Sequence, residues 1–152
     1  MTRRVLVCGM SCTGKSTVAA ELAARGHRAV DVDYGYVAPT ADGRQLWDEP
    51  RIEALLDEPE ELLFVLGLEE NGVRFLPRFD AVVLLTAPVE VLTERLANRT
   101  TNTFGKDPAE LQRVLADLHE VEPLLRKIST HQIDTTRPLA DVVDEIERIG
   151  RG

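Results

Sequence analysis

The chain has 152 residues, 43% hydrophobic and 29% charged, which fits one globular domain spanning 1–152 and leaves no room for a second full domain. Eighteen Lys and Arg against 26 Asp and Glu give a formal charge of −8, which argues against a nucleic-acid polymer or an anionic membrane as partner. The longest apolar runs are far shorter than the ~20 residues of a membrane-spanning helix, and the run after Arg4 is too short for a signal peptide, so a cytoplasmic protein is expected.

Arg4 to Cys8 is an apolar, β-branched run closed by Gly9, the pattern of a strand buried on both faces in a parallel sheet. From Lys15 to Arg25, Val18, Ala19, Leu22 and Ala23 recur at helical spacing, and Gly26 provides a stop. His27 to Asp31 reads as a second strand. Gly35, Pro39, Gly43 and Pro50 then mark an irregular stretch that ends in a short helix near Arg51 to Leu56. Glu61 to Gly67 and Asp80 to Thr86 supply the third and fourth strands, with a helix expected between them. Pro88 opens a helix running to about Arg99, with Val91, Leu92 and Leu96 on its apolar face. Polar and breaker residues over 100–108 form a loop, and Leu111, Val114, Leu115, Leu118 and Val121 restart a helix. A fifth strand at Gln132 to Asp134 precedes Pro138 and a last helix closed by Gly150. Strands alternating with helices predict an α/β protein: a five-stranded parallel sheet with helices on both faces. No heptad or apolar stripe signals an oligomeric state.

Between the first strand and the first helix lies Gly9-Met10-Ser11-Cys12-Thr13-Gly14-Lys15-Ser16, which fits G-x-x-x-x-G-K-[ST] in the context that gives this motif meaning. Its glycines let successive backbone N–H groups turn inward, and the positive end of the following helix adds to a cradle for nucleotide phosphates. Lys15 is one of only three lysines, with Lys106 and Lys127. It is expected on the β and γ phosphates, Ser16 on Mg²⁺, and Thr17 near the α-phosphate. Cys8 and Cys12, without a His or third Cys nearby, read as reduced thiols in and beside this loop.

Here the chain resembles the small P-loop kinases of the nucleoside monophosphate kinase, shikimate kinase and gluconate kinase group. The resemblance implies the three-layer P-loop NTPase fold with a short lid, ATP and Mg²⁺ as cofactors, and transfer of a phosphoryl group to a hydroxyl or phosphate of a small-molecule acceptor. Arg25-Gly26-His27-Arg28-Ala29-Val30-Asp31-Val32-Asp33 is similar to the shikimate kinase pattern of a helix ending in Gly and a strand running into Asp-x-Asp. It implies Asp31 near the Mg²⁺ and Asp33 at the acceptor hydroxyl, a place where a carboxylate can take the proton as phosphate transfers. The plainer alternative is a pair of aspartates ending a strand at a turn.

Arg95-Leu96-Ala97-Asn98-Arg99 is similar to the Arg-x-x-x-Arg at the end of the pre-lid helix in adenylate kinases. Spacing of four puts both guanidinium groups on one helix face, where they would serve the adenine ring and the phosphate oxygens. Lys106 in the 100–108 segment would be a third cation, in the lid. An ordinary solvated face, with Glu90 or Glu94 as partners, explains the same residues. Ile133-Asp134-Thr135-Thr136-Arg137-Pro138-Leu139 is similar to the turn bordering the adenine, which points to Arg137 and Pro138; a Thr136 helix cap is the alternative.

Shikimate kinases carry Gly-Gly-Gly after the third strand, where this chain has Gly67-Leu68-Glu69-Glu70-Asn71-Gly72, which argues against shikimate. Acceptor-side candidates are Tyr34, Tyr36, Trp47 and Arg51 in a segment of about 34–60, with Arg74 and Arg78 further on. Trp47 and Tyr36 read equally as cover for a small core, and Glu69, Glu70 and Arg74 as a solvent-facing turn. The chain has neither an Asn-Lys-x-Asp guanine signature nor an apolar strand ending in Asp-Glu, which weighs against the alternative of a regulatory module with slow NTPase activity.

Overall fold

In β1 (Arg3–Gly9) every residue from Arg4 to Cys8 is buried, because side chains of a central parallel strand alternate between two covered faces. The structure, a computed structural model, describes residues 3–9, 13–97 and 108–152. Within them follow α1 (Lys15–Ala24), β2 (Arg28–Asp31), β3 (Val37–Pro39), β4 (Gln45–Trp47), α2 (Glu49–Leu56) and β5 (Leu62–Leu66). Next come a 3-10 helix (Glu70–Arg78), β6 (Ala81–Thr86), α3 (Val89–Ala97), α4 (Pro108–Ile128), β7 (His131–Asp134) and α5 (Leu139–Arg151).

β2, β5, β1, β6 and β7 lie side by side in that order, and each neighbouring pair is parallel. Val5 pairs with Phe64 and Ala81, Asp31 with Leu66, and Thr86 with Asp134. On one face Val5, Val7, Phe64, Leu66, Val83 and Leu85 pack against Val18 and Leu22 of α1 and Val142, Val143 and Ile146 of α5. On the other face Leu6, Cys8, Leu63, Val65, Val82 and Leu84 pack against Trp47, Ile52, Leu55, Leu56 and Phe75. The expected five-stranded, three-layer α/β arrangement is therefore present, and the switch in strand order at β1 opens a crevice at the carboxyl ends of the strands. Among the described residues no helix is long and apolar enough to cross a membrane.

Four expectations need correction. The irregular stretch contains an antiparallel hairpin, β3 with β4, closed by Thr40 to Gly43, where Gly43 takes φ +84°. Three-residue strands carry too little alternation to be recognised, although Asp42-Gly43 is a hairpin signal. The connection between β5 and β6 is a 3-10 helix containing Pro77, not an α-helix. Pro108, given as the last lid residue, is the first residue of α4, while 100–107 lies outside the described residues. Gly150 does not stop α5; a Cβ there would lie 3.0 Å from Phe64, so it is the small residue that lets the helix approach the sheet.

Candidate nucleotide and acceptor site

Gly9 ends β1 where a side chain has no room: a Cβ would come within 2.6 Å of Thr13 Oγ1 and 2.8 Å of the Leu85 carbonyl oxygen. Gly14 caps α1 in the left-handed region at φ +97°, which favours glycine. The N-cap residue Gly14 makes no side-chain cap bond and the first turn itself carries no acidic residue, so the positive end of the helix faces the loop. Lys15 Nζ donates to the Gly9 carbonyl at 2.7 Å, which folds the amine over the loop. Thr13 is buried, and Ser16 and Thr17 are exposed on the first turn. Met10, Ser11 and Cys12, the remainder of the predicted cradle, lie outside the described residues. Cys8 faces the core, where burial pushes its thiol up to about 11, an inert state at neutral pH.

β2 delivers the carboxylates. The Ser16 hydroxyl donates to Asp31 Oδ2 at 3.0 Å, and the Asp33 backbone N–H donates to Asp31 Oδ1 at 3.2 Å. One carboxylate thereby ties the loop helix to the turn that carries Asp33. Asp33 is open to solvent on one side; the protein on its other side and then the Asp31 charge push its pKa up, opposed by Lys15. These two predicted residues do stand with the loop.

Glu69 also belongs here, which its solvent-turn reading in the sequence missed. It follows Gly67 at the end of β5, the strand between β1 and β2. Gly67 donates to the Val7 carbonyl at 2.8 Å, takes φ +111°, and approaches Val32 so closely that a Cβ would sit 2.7 Å from its methyl. Glu69 is half-buried; burial and then the Asp33 charge push its pKa up, and Lys15 lowers it. A Gly followed by an acid directly after an apolar central strand was the available signal.

On the β7 side, Arg95 donates to Thr135 Oγ1 at 3.2 Å and to the Thr135 carbonyl at 3.0 Å, and Thr135 in turn donates its N–H to Thr86 at 2.8 Å. Arg95 thus joins α3 to the turn after β7. Arg99 and Lys106 lie outside the described residues. Arg137 is exposed and forms an ion pair with Glu145, beside Pro138 at the start of α5. Thr136 does not cap that helix; its hydroxyl donates to Asp134 at 2.7 Å. Hydrogen bonds from Thr136 hold the Asp134 carboxyl below its ordinary range.

The acceptor-side candidates divide. Trp47 is 3% exposed, its ring tilted against Phe75 at a centroid distance of 5.8 Å, and belongs to the core. Asn71 holds it there, accepting from the Trp47 N–H at 2.9 Å and donating to its carbonyl at 3.0 Å. Tyr34 is 76% exposed. Tyr36 and Arg51 line a recess of about 420 Å³ with Gly35, Ala54, Leu55 and Glu58. Arg51 donates to the Gly35 carbonyl at 2.7 Å and pairs with Asp48, while Arg74 pairs with Glu49 and Arg78 with Asp57.

The chain is similar to known proteins over most of its length. The profile of the family described as AAA domain matches residues 5–116. Shikimate kinase 2 of Yersinia enterocolitica is 27% identical, with 98% of this chain and 96% of the relative covered. A putative adenylate kinase of Archaeoglobus fulgidus is 29% identical over 97% of this chain and 82% of the relative. The structure of shikimate kinase from Acinetobacter baumannii in complex with shikimate superimposes with a TM-score of 0.71 at 20% identity, covering 98% of this chain and 93% of that one. Matched by this family's profile over residues 5–116, which include the phosphate-loop motif after β1, the chain belongs to the AAA-domain family.

Proposed function

We propose that the chain is a Mg²⁺- and ATP-dependent kinase that phosphorylates a small-molecule acceptor. The observation that carries this reading is the Ser16–Asp31–Asp33 chain of hydrogen bonds, which joins a phosphate-binding helix to a carboxylate suited to a proton. The relatives named shikimate kinase and adenylate kinase support the same reaction class.

The residues fit the cofactor. Gly9 and Gly14 leave the loop backbone bare where a Cβ would fill or strain it, and the uncapped start of α1 presents N–H groups to phosphate. Ser16 Oγ and the Asp31 carboxylate are hard oxygen donors of the kind Mg²⁺ takes, and they already stand together. Bound ATP would supply the phosphoryl group, and Mg²⁺ held by Ser16 and Asp31 would neutralise part of its charge. Lys15 adds a cation on the phosphates, and Asp33 orients the acceptor hydroxyl and takes its proton as the new oxygen–phosphorus bond forms and ADP leaves. Arg95, held by Thr135, takes the developing negative charge from the α3 side, and Arg99 is assigned the same task from the Arg-x-x-x-Arg pattern.

The test is ADP release with a panel of acceptors, on wild type and Asp33→Asn. That substitution should lower kcat by roughly 10²–10⁴-fold while ATP affinity stays within about twofold, since the carboxylate acts only on the acceptor proton. Unchanged turnover would remove Asp33 from this role. ADP release equal with and without every acceptor would instead favour a slow regulatory NTPase.

A further inference from the structure

We propose that the acceptor is a neutral or cationic hydroxyl-bearing molecule, and that Glu69, on the turn after β5, selects it. The proposal rests on the kinase reading above and refines its acceptor. The phosphate loop and the Ser16–Asp31 contact define the donor side; the acceptor hydroxyl must then approach Asp33 from the open side of the β2 and β5 exits. Glu69 stands at that approach. Its strand lies between β1 and β2, and the Gly67–Val32 contact draws the two exits together. Among the described residues its carboxylate accepts no hydrogen bond, and it does not cap the 3-10 helix that it precedes. Lys15, the cation whose field reaches both Asp33 and Glu69, is turned toward the loop through Gly9.

An anionic acceptor needs the opposite arrangement. Carboxylates and phosphates are recognised by guanidinium groups that present paired donors to them. Four arginines stand between Asp31 and Arg78, and each lies against a carboxylate: Arg44 with Asp42 and Glu70, Arg51 with Asp48, Arg74 with Glu49, Arg78 with Asp57. Of the twelve acidic residues in this stretch, Asp31, Asp33 and Glu69 stand at the carboxyl ends of β2 and β5, whereas Asp57, Glu58, Glu60 and Glu61 lie at the opposite edge of the sheet, beside the starts of β1, β2 and β5. Three carboxylates at the strand exits, Asp31, Asp33 and Glu69, with Arg44, Arg51 and Arg74 already paired, repel an anion, attract an amine and admit an uncharged polyol. Glu69 would accept hydrogen bonds from an acceptor hydroxyl or ammonium beside the one that reacts at Asp33.

The experiment uses a metabolite extract separated by ion exchange, before reaction, into an anionic fraction and a neutral-plus-cationic fraction. Each is incubated with the full chain and ATP labelled in the γ-phosphate. Glucosamine, glucitol and gluconate, six-carbon polyhydroxy compounds of positive, zero and negative charge, serve as defined probes of binding by calorimetry. Label is expected in products of the neutral-plus-cationic fraction, with glucosamine or glucitol bound in preference to gluconate. Label confined to the anionic fraction overturns the proposal and leaves the kinase reading standing. Label in neither fraction, with ATP bound, overturns the kinase reading and the proposal with it. For the acceptor found, Glu69→Gln should raise KM about tenfold with the KM for ATP held, as loss of one charged hydrogen bond predicts, and Glu69→Lys should shift labelling toward the anionic fraction. An acceptor KM unchanged in Glu69→Gln overturns the role of Glu69.

Discussion

Gly9 shows how much of the site depends on one missing methyl. Its position is set by two opposed contacts, the Thr13 hydroxyl on the loop side and the Leu85 carbonyl on the neighbouring strand. Neither is the free end of a flexible side chain: Thr13 is buried and Leu85 is in β6. Gly9→Ala should therefore destabilise the protein by about 1–3 kcal/mol through overpacking and weaken ATP binding at the same time. Chemical denaturation read beside ATP titration checks this, and an unchanged ATP affinity would show that the loop relaxes around the methyl. Asp31 is the second residue on which the site turns, because its two oxygens hold Ser16 and the Asp33 backbone separately. That double use is invisible in a sequence, where Asp31 and Asp33 read equally as residues that end a strand.

At the scale of elements, the sheet is held to α2 by a buried charge that the sequence reading passed over. Arg4 leaves the start of β1, and its guanidinium donates to the Leu56 carbonyl at 2.8 Å and the Glu58 carbonyl at 2.9 Å, the orphan end of α2. The side chain of Asp80 accepts from the Arg4 backbone N–H at 2.7 Å and fixes the start of β6 to the same point. Arg4→Met keeps the stem and removes the donors, leaving buried carbonyls unpaired. We expect a loss of about 1–3 kcal/mol in urea unfolding, larger than for exposed arginines such as Arg74. Legibility in the sequence followed element length. The long apolar strands β1, β5 and β6 and the periodic helices α1 and α5 were read within a few residues. β3 and β4 were not, since three residues give no period and Pro39 sits on an edge.

Across the whole molecule, α5 closes one face and is fastened to α1 and the approach to β2 through Glu147. Its carboxylate meets Arg25 and lies 2.6 Å from His27 Nε2, and His27 packs edge-on to Phe64 at 5.4 Å. The bond from His27, followed by that from Arg25, holds Glu147 below the usual carboxylate range. A lowered folded-state value means that this stability is fully present above the unfolded pKa of roughly 4.3 and is lost as pH falls through the lowered value. Glu147→Gln should cost about 1 kcal/mol at pH 7 and flatten the acid limb of the stability curve below pH ~4.3. An acid limb identical to wild type would assign that pH dependence to other carboxylates. Charge is also distributed at this scale, with the acid concentrated between Asp31 and Arg78.

The sequence by itself determined the phosphate loop and the alternation of strands and helices, because each is local: a glycine-bounded octapeptide and apolar periods need only a few consecutive residues to be read, while the reaction class was implied by the resemblance to small P-loop kinases. Tertiary structure decided that Glu69 joins the expected Asp31 and Asp33 near that loop. Asp33 and Glu69 lie 18 and 54 positions beyond Lys15, and only the parallel order β2-β5-β1 brings their strand exits to one edge. It also decided that Trp47 is core and that Arg51 and Arg74 are paired, since burial and salt bridging depend on neighbours far along the chain.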